Sequence, residues 1–512
     1  MVKHVIREIL YRSGMFNAAS TKAKRKPLKI LEEFLANVWW PPSIGRIPKS
    51  LVAGGSGKAD QWRTLISILF LGVFAAWQVD GEIPDEDAPK SASKTKLAAN
   101  DARVKKMLGN RRAEVIAATV GNPTAADFDK ARSISPSRNY RQHFDVLIQF
   151  TASLRIISTQ SITPYDAKRG CDYLNDCCQA WARMGCHLTP YFHYATHLFP
   201  QFLRLGPIAY TAAVWAYERH NGALAQINHN GHSGGELEAT MMRAWWKRIQ
   251  ITDLISALKS LPRPHRFEDA DSIKILEEAL EGEKKAARGT LETYTDRVRA
   301  KDNNEDIIQL PKQSKEIRLR RLGAAEGVSL YGLVYAYLRD LWKGSFNLVP
   351  DVGTSGHGSA FSGRVRSPSH VVVRKRRFGA STRTRGLSAC YGYMGNRIPV
   401  CIDYLFTVNH MLADGSKFDA NIAVVRRFTR DERIPEFPWA IWATDLGVQA
   451  WYAQRFADAE VIPMENLTGH FIMCPLRLRN KSLWFTVAHD HEDQEPDVED
   501  AVRPDESEEE DN

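Results

Sequence analysis

"RIPVCIDYLFTVNHMLADGSKFDANIAVVRRFTRD", Arg397 to Asp431, decides how the last third of the chain folds. Apolar and β-branched runs flank "ADGS" (Ala413–Ser416), so the stretch reads as two or three strands around a hairpin-type turn. Downstream, "GHFIMCPLRLRNKSLWFTVAHDH" (Gly469–His491) adds another pair, with "RNKS" at its turn. Short strands at this spacing predict a small β-barrel over 365–490, of SH3- or BAH-like type.

Working outward, the character changes. Residues 1–80 read as a helical segment, 81–139 as polar loops around a short helix, and 140–300 as a helical domain with apolar stripes at helical spacing. A linker is expected over 301–364 and a disordered acidic tail over 491–512. The expected fold class is therefore multidomain α+β: a mostly α-helical N-terminal two-thirds, then the barrel. "LISILFLGVFAAW" (Leu65–Trp77) is too short for a membrane span, which needs about 20 apolar residues, and reads as a buried helix. "LVAGGSGKADQW" (Leu51–Trp62) fails as a phosphate loop. Val52 stands where the first glycine belongs, and Ala59 where a Ser or Thr would hold magnesium.

The formal net charge of +9 is unevenly spread. From Asp490 to Asn512 there are thirteen acidic residues and one arginine, which leaves about +21 on the rest. A body so basic suits a polyanion, DNA first. Seven cysteines with no Cys-x-x-Cys pair argue against a disulfide framework or a zinc ribbon, and fit a reducing compartment.

Three groups of residues are candidates for chemistry. "GRVRSPSHVVVRKRRFGASTRTR" (Gly363–Arg385) holds Arg364, Arg366, Arg374, Lys375, Arg376, Arg377, Arg383 and Arg385 with no acid among them. It reads as a phosphate-contacting strand or arm, with nuclear import ("RKRR") or an aggregation-resistant edge strand as other uses of the same charges. In "GELEATMMRAWWKRI", Met242, Trp245, Trp246 and Ile249 read as core, while Arg243, Lys247 and Arg248 are free to meet DNA. His193 and His197 are spaced i, i+4 on one helix face, a possible zinc pair, but "HYATH" lacks the glutamate of a zinc-protease helix.

The middle of the chain resembles a known family. "LTPYFHYATHLFPQFLRLGPIAYTAAVWAYERHNGALAQINHNGHSGGELEATMMRAWW" carries His193 and His197, the Gly206-Pro207 turn, Tyr217-Glu218-Arg219-His220-Asn221-Gly222, and His229-Asn230-Gly231-His232. This is similar to the region downstream of the catalytic aspartates in fungal CACTA (En/Spm-type) transposases. "WWPPSIGRIPKSL", "KADQWR" and the Gly469–His491 stretch resemble family text too. The resemblance implies a nuclear, transposon-derived protein associated with DNA, in which 140–300 is the helical insertion and end of an RNase H-like core. It implies Glu218 as the remnant third carboxylate of a DDE triad, Arg219 among the DNA contacts, and Mg²⁺ in a complete core. The sequence departs from the family by lacking any Asp-x-x-His element, so the two upstream aspartates and the βββαβ half are expected to be missing. Two-metal chemistry needs several converging carboxylates. The chain is therefore expected not to cut DNA alone. Two other functions fit the same residues: a host-adapted chromatin or protein-interaction module using the barrel, and a metal-dependent nuclease using Glu218.

Overall fold

The computed structural model describes residues 1–19, 26–42, 44, 47, 52, 57, 59–90, 94–205, 236–287 and 308–488. Within these spans, 135, 160–161, 263–265, 312–313, 323, 326–327, 352–357, 375, 384–388, 432 and 479–480 are not described. The chain is an α+β protein, with helices in its N-terminal part and sheets in its C-terminal part. It divides into two compact units, one formed by 1–207 with 306–512 and the other by 208–305.

Helices open the larger unit. A short turn, α1 (Val2–His4), runs into a π-helical segment, Val5–Tyr11, which buries Val5, Ile6, Ile9 and Leu10. Then come α2 (Pro27–Asn37), α3 (Ala59–Trp77), α4 (Lys94–Ala117), α5 (Ala125–Ser133), α6 (Tyr140–Ile157), α7 (Pro164–Arg183), α8 (Pro190–Ala195) and α9 (Leu198–Leu205). Local chemistry sets several starts. Asn139 caps α6 by accepting from the Gln142 amide, and Thr163 caps α7 with Pro164 in its first turn. The apolar run expected as a buried helix is α3, with Leu65, Phe70, Leu71, Val73 and Phe74 buried. Gly170 lets α7 approach α6: a Cβ there would lie 2.7 Å from the Ile157 side chain. The 81–139 region holds more helix than its polarity suggested, because α4 runs for 24 residues.

The strands begin earlier than expected. The stretch 301–364, which reads as a linker, contains β1 (Ile308–Gln309), β2 (Ser314–Arg318), β3 (Ala324–Ala325), β4 (Val328–Ser329), a helix Leu330–Trp342, β5 (Leu348–Pro350) and β6 (Ser359–Phe361). There follow β7 (Arg364–Pro368), β8 (His370–Val373), β9 (Arg376–Gly379), β10 (Tyr391–Met394), β11 (Ile398–Met411), β12 (Lys417–Arg427), β13 (Val448–Tyr452), β14 (Glu460–Pro463), β15 (Leu467–Gly469), β16 (Phe471–Leu478) and β17 (Lys481–Ala488).

The hairpin expected at Arg397–Asp431 is β11–β12, antiparallel from Val400↔Arg427 to Met411↔Lys417. Its turn uses Gly415 at φ +87°, with the Ser416 amide bonded to Asp414. β11 is the spine of a seven-stranded sheet: β12 and then β14 lie on one side, and β10 with β15 and β7 with β2 lie on the other. Strands β13, β17 and β16 form a second sheet, and β1, β8 and β9 a third. No closed barrel occurs among the described residues, which corrects the SH3- or BAH-like expectation. The physical reason is that β11 is long enough to pair with two strands along one edge, and the sheet ends in open edge strands.

One face of the seven-stranded sheet packs on the helix Leu330–Trp342 through Phe406, Val408, Ile422 and Val424. The other buries Leu405, Ala423 and Val425 against Val371, Val373 and Phe378 of the β8–β9 hairpin.

The N-terminal helices and C-terminal strands share a core. Trp439, 2% exposed, touches Phe70 and Phe74 of α3, Phe144 of α6 and Phe485 of β17, and stacks on Phe437. Arg155 of α6 donates to the Asp445 and Ala488 carbonyls, and Arg169 of α7 grips the Asp445 carboxylate at 2.7 and 2.8 Å. Trp39 exchanges two backbone hydrogen bonds with Met473. Residues 365–490 expressed alone are therefore expected to give an unfolded or aggregating product by circular dichroism and size exclusion, because their apolar faces lose α3 and α6. A soluble, cooperatively melting fragment would show that the helices are dispensable.

His143 makes stability depend on pH. Burial is the largest influence on it and lowers its pKa, and the Arg138 charge acts the same way. The Ser137 hydrogen bond and Asp87 oppose that shift. Below about pH 6.5, the ordinary value, the unfolded chain takes up a proton that the folded chain refuses. Stability should thus fall as pH drops from about 6.5 towards the depressed folded value. Denaturant melts of His143→Gln should lose that part of the slope.

Candidate nucleic-acid interface

The basic stretch is built into two adjoining elements on one side of the seven-stranded sheet. In β7, Val365 is buried while Arg364 and Arg366 are exposed, so alternation sends both arginines to the face opposite Val365. Because Val365 packs with the helix Leu330–Trp342, that outward face is the one the β8–β9 hairpin partly covers.

β2 pairs with β7 so that Glu316 lies opposite Arg366 and Arg318 opposite Arg364. Arg366 is in turn level with Thr407 of β11. Two arginines directly across a strand pair repel. Glu316 offsets this only weakly, being 3.9 Å from Arg364, with side chains 57% and 65% exposed. The chain turns after β2 through Leu319–Arg321, and there the Arg320 guanidinium stands 4.4 Å over the Tyr331 ring while Arg321 is exposed. Lys315 of β2 is exposed as well.

The second element is the β8–β9 hairpin, closed by Val373↔Arg376. Arg374 is exposed at its tip with φ +45°, a conformation that costs a non-glycine residue about 1 kcal/mol. Arg377 is exposed on the edge strand β9, and its carbonyl is bonded to the His470 ring.

The other basic residues divide. Arg376 donates to the Thr468 carbonyl and Arg383 to the Ser367 hydroxyl at 2.9 Å, so both act first as internal ties. A guanidinium held against its own protein has fewer donors for phosphate. Lys375 and Arg385 lie outside the described residues. Sequence reasoning misses Lys315, Arg318, Arg320 and Arg321 because 301–364 reads as a linker. The "RLRR" cluster at Arg318–Arg321 is the signal that could have found them.

In the smaller unit, Glu236–Lys259 is one helix. Arg243 and Lys247 are exposed on it, while the Arg248 side chain is outside what is described. Met242 and Trp246, expected in the core, are 60% and 59% exposed. The i, i+4 spacing defines a helix face but not which way that face turns. Glu218 and Arg219, with the "NHNGHSGG" stretch, also lie outside the described residues.

His193 and His197 are both exposed, with Nε2 atoms 3.3 Å apart. Among the described residues no three His, Cys, Asp or Glu side chains gather to hold a metal. The cysteines at 171, 177, 178, 186, 390, 401 and 474 are all buried, and none of them is in a disulfide. Burial pushes the Cys186 thiol up to about 12, which makes it a poor nucleophile.

No family of known proteins, no curated protein and no solved structure matches this chain. Among the described residues, no helix is long and apolar enough to cross a membrane.

Replacing Arg374 by glycine should relieve the positive φ and raise stability by about 1 kcal/mol in denaturant melts. If the hairpin tip meets nucleic acid, the same Arg374→Gly variant should bind duplex DNA more weakly. Greater stability with unaltered binding would remove the tip from the interface.

Proposed function

We propose that this chain is a nuclear, DNA-associated protein of transposon descent, akin to the C-terminal region of fungal CACTA transposases, that grips the nucleic-acid backbone without reading bases. The family part of this reading rests on the motifs at His193–His232, with 140–300 as the helical insertion and end of an RNase H-like core. The binding part is carried by one observation: Arg318 lies directly opposite Arg364 on an exposed sheet face, beside Arg366. Such a juxtaposition is unfavourable in the free protein and is relieved when a polyanion sits across it. Thr407, level with Arg366, adds a neutral hydroxyl of the kind used for phosphate contacts.

Mg²⁺ enters only through the family resemblance, and the described residues do not supply its donor set. The proposal therefore assigns the chain binding and no phosphoryl-transfer step. The competing reading, a chromatin or protein-interaction module, leaned on a C-terminal barrel that is replaced by the open sheet. Nuclear import through Arg374–Arg377 would require the hairpin to open, since Arg376 is tied to Thr468.

Duplex DNA of arbitrary sequence, titrated by fluorescence anisotropy across a salt series, tests the proposal. Affinity should fall steeply with salt, and the triple variant Arg318→Gln, Arg364→Gln, Arg366→Gln should flatten log K against log salt by about 2–3, at roughly 0.9 per phosphate contact. Tight binding that survives both high salt and the substitutions would sink it.

A further inference from the structure

A cavity of about 190 Å³ lies in the N-terminal part of the larger unit, between the π-helical segment, α4 and the start of α6. Its apolar wall is Ile9 with Leu97, Val104 and Met107. Lys90 and Asp101, both exposed and opposite in charge, also line it, and two less exposed polar side chains constrain what it can take.

The first is His143, 1% exposed. Its Nε2 is 3.0 Å from the Ser137 carbonyl, which can only accept, so the ring proton sits on Nε2. Nδ1 is then a bare acceptor, buried and without a partner. Burial keeps the imidazole neutral. An unsatisfied buried acceptor is costly, and a ligand N–H placed on it would recover the loss.

The second is Arg138. Its guanidinium donates to the carbonyls of Ser13, Gly14, Ala88 and Pro89. With Nε and Nη2 spent on backbone and Nη1 giving one N–H to Ser13, it has too few donors left to fork a carboxylate.

Volume narrows the choice further. An apolar cavity of about 150 Å³ accepts benzene, so this one suits one ring or a small fused pair. We propose that the cavity binds a small, neutral heteroaromatic molecule, its ring N–H on His143 Nδ1 and its ring against Ile9, Val104 and Met107. This site is independent of the basic sheet face and of the DNA reading.

The test uses the full chain with indole as probe and 1-methylindole, which lacks the donor, as control. Isothermal titration should show saturable binding of indole and at least about tenfold weaker binding of 1-methylindole. In His143→Phe the preference for indole should vanish while circular dichroism stays native. If that variant does not fold, the indole and 1-methylindole comparison on the unmodified chain still decides. Absence of saturable indole binding, or equal affinity for the two compounds, would overturn the proposal.

Discussion

Trp439, Arg155 and Arg169 tie the N-terminal helices to the C-terminal strands. The indole sits where α3, α6 and β17 meet, in ring contact with five aromatic side chains from segments more than 300 residues apart. Three turns further along α6, Arg155, 9% exposed, carries a charge into the interior and donates to two backbone carbonyls, at Asp445 and Ala488. Arg169 adds a bidentate grip on the Asp445 carboxylate and a bond to Asp166. A guanidinium matches these acceptors in number and direction, which a lysine ammonium could not. A charge so placed is tolerated only when α6 and the end of β17 are both in position. Within the larger unit, α6 and α7 therefore depend on the strand β17 and the Asp445 segment, and these on them.

That dependence explains what could be read from the sequence. The β11–β12 hairpin was legible because strand propensity, a polar Asp-Gly turn and flanking apolar runs all act within thirty-five residues. α3 was legible because Leu65–Trp77 is a nearly unbroken apolar run. Closure of the sheet was not, since an open sheet and a barrel share the same local alternation and differ only in which edges find partners. Nor was the union of residues 1–207 with 306–512. Contacts such as Arg155 with Ala488 join residues 333 apart, and no local periodicity records them. The strands of 308–361 are two to five residues long and embedded in polar text, too short for a period of two to stand out.

The site was half legible for a related reason. Charge density pointed to Gly363–Arg385, and four of its cations, Arg364, Arg366, Arg374 and Arg377, are exposed. Density could not show that Arg376 and Arg383 turn inward to Thr468 and Ser367, because the acceptor in each case comes from a different strand or loop. It also missed the partner strand. Arg318 becomes interesting only once β2 is known to pair with β7, and the pairing partner of a strand is a non-local fact.

Parity supplies the last step. In "GRVRSP" the alternation Arg-Val-Arg, with Val365 buried, is enough to put Arg364 and Arg366 on one face, whatever the sheet does elsewhere. In "VVVRKRR" parity fails, because the chain reverses within it and Arg374 takes a left-handed turn conformation. A hairpin tip ordinarily places Asn or Gly at such a position. An arginine there gives up about 1 kcal/mol of local stability, whereas Arg376, two residues on, donates to the Thr468 carbonyl. Strain retained at an exposed cation, and like charges opposed across β2 and β7, are both intelligible if the compensating partner is an anion from outside the protein. The same two features have no common explanation as solubilising surface charge, which alternating lysines in relaxed conformations would supply at lower cost.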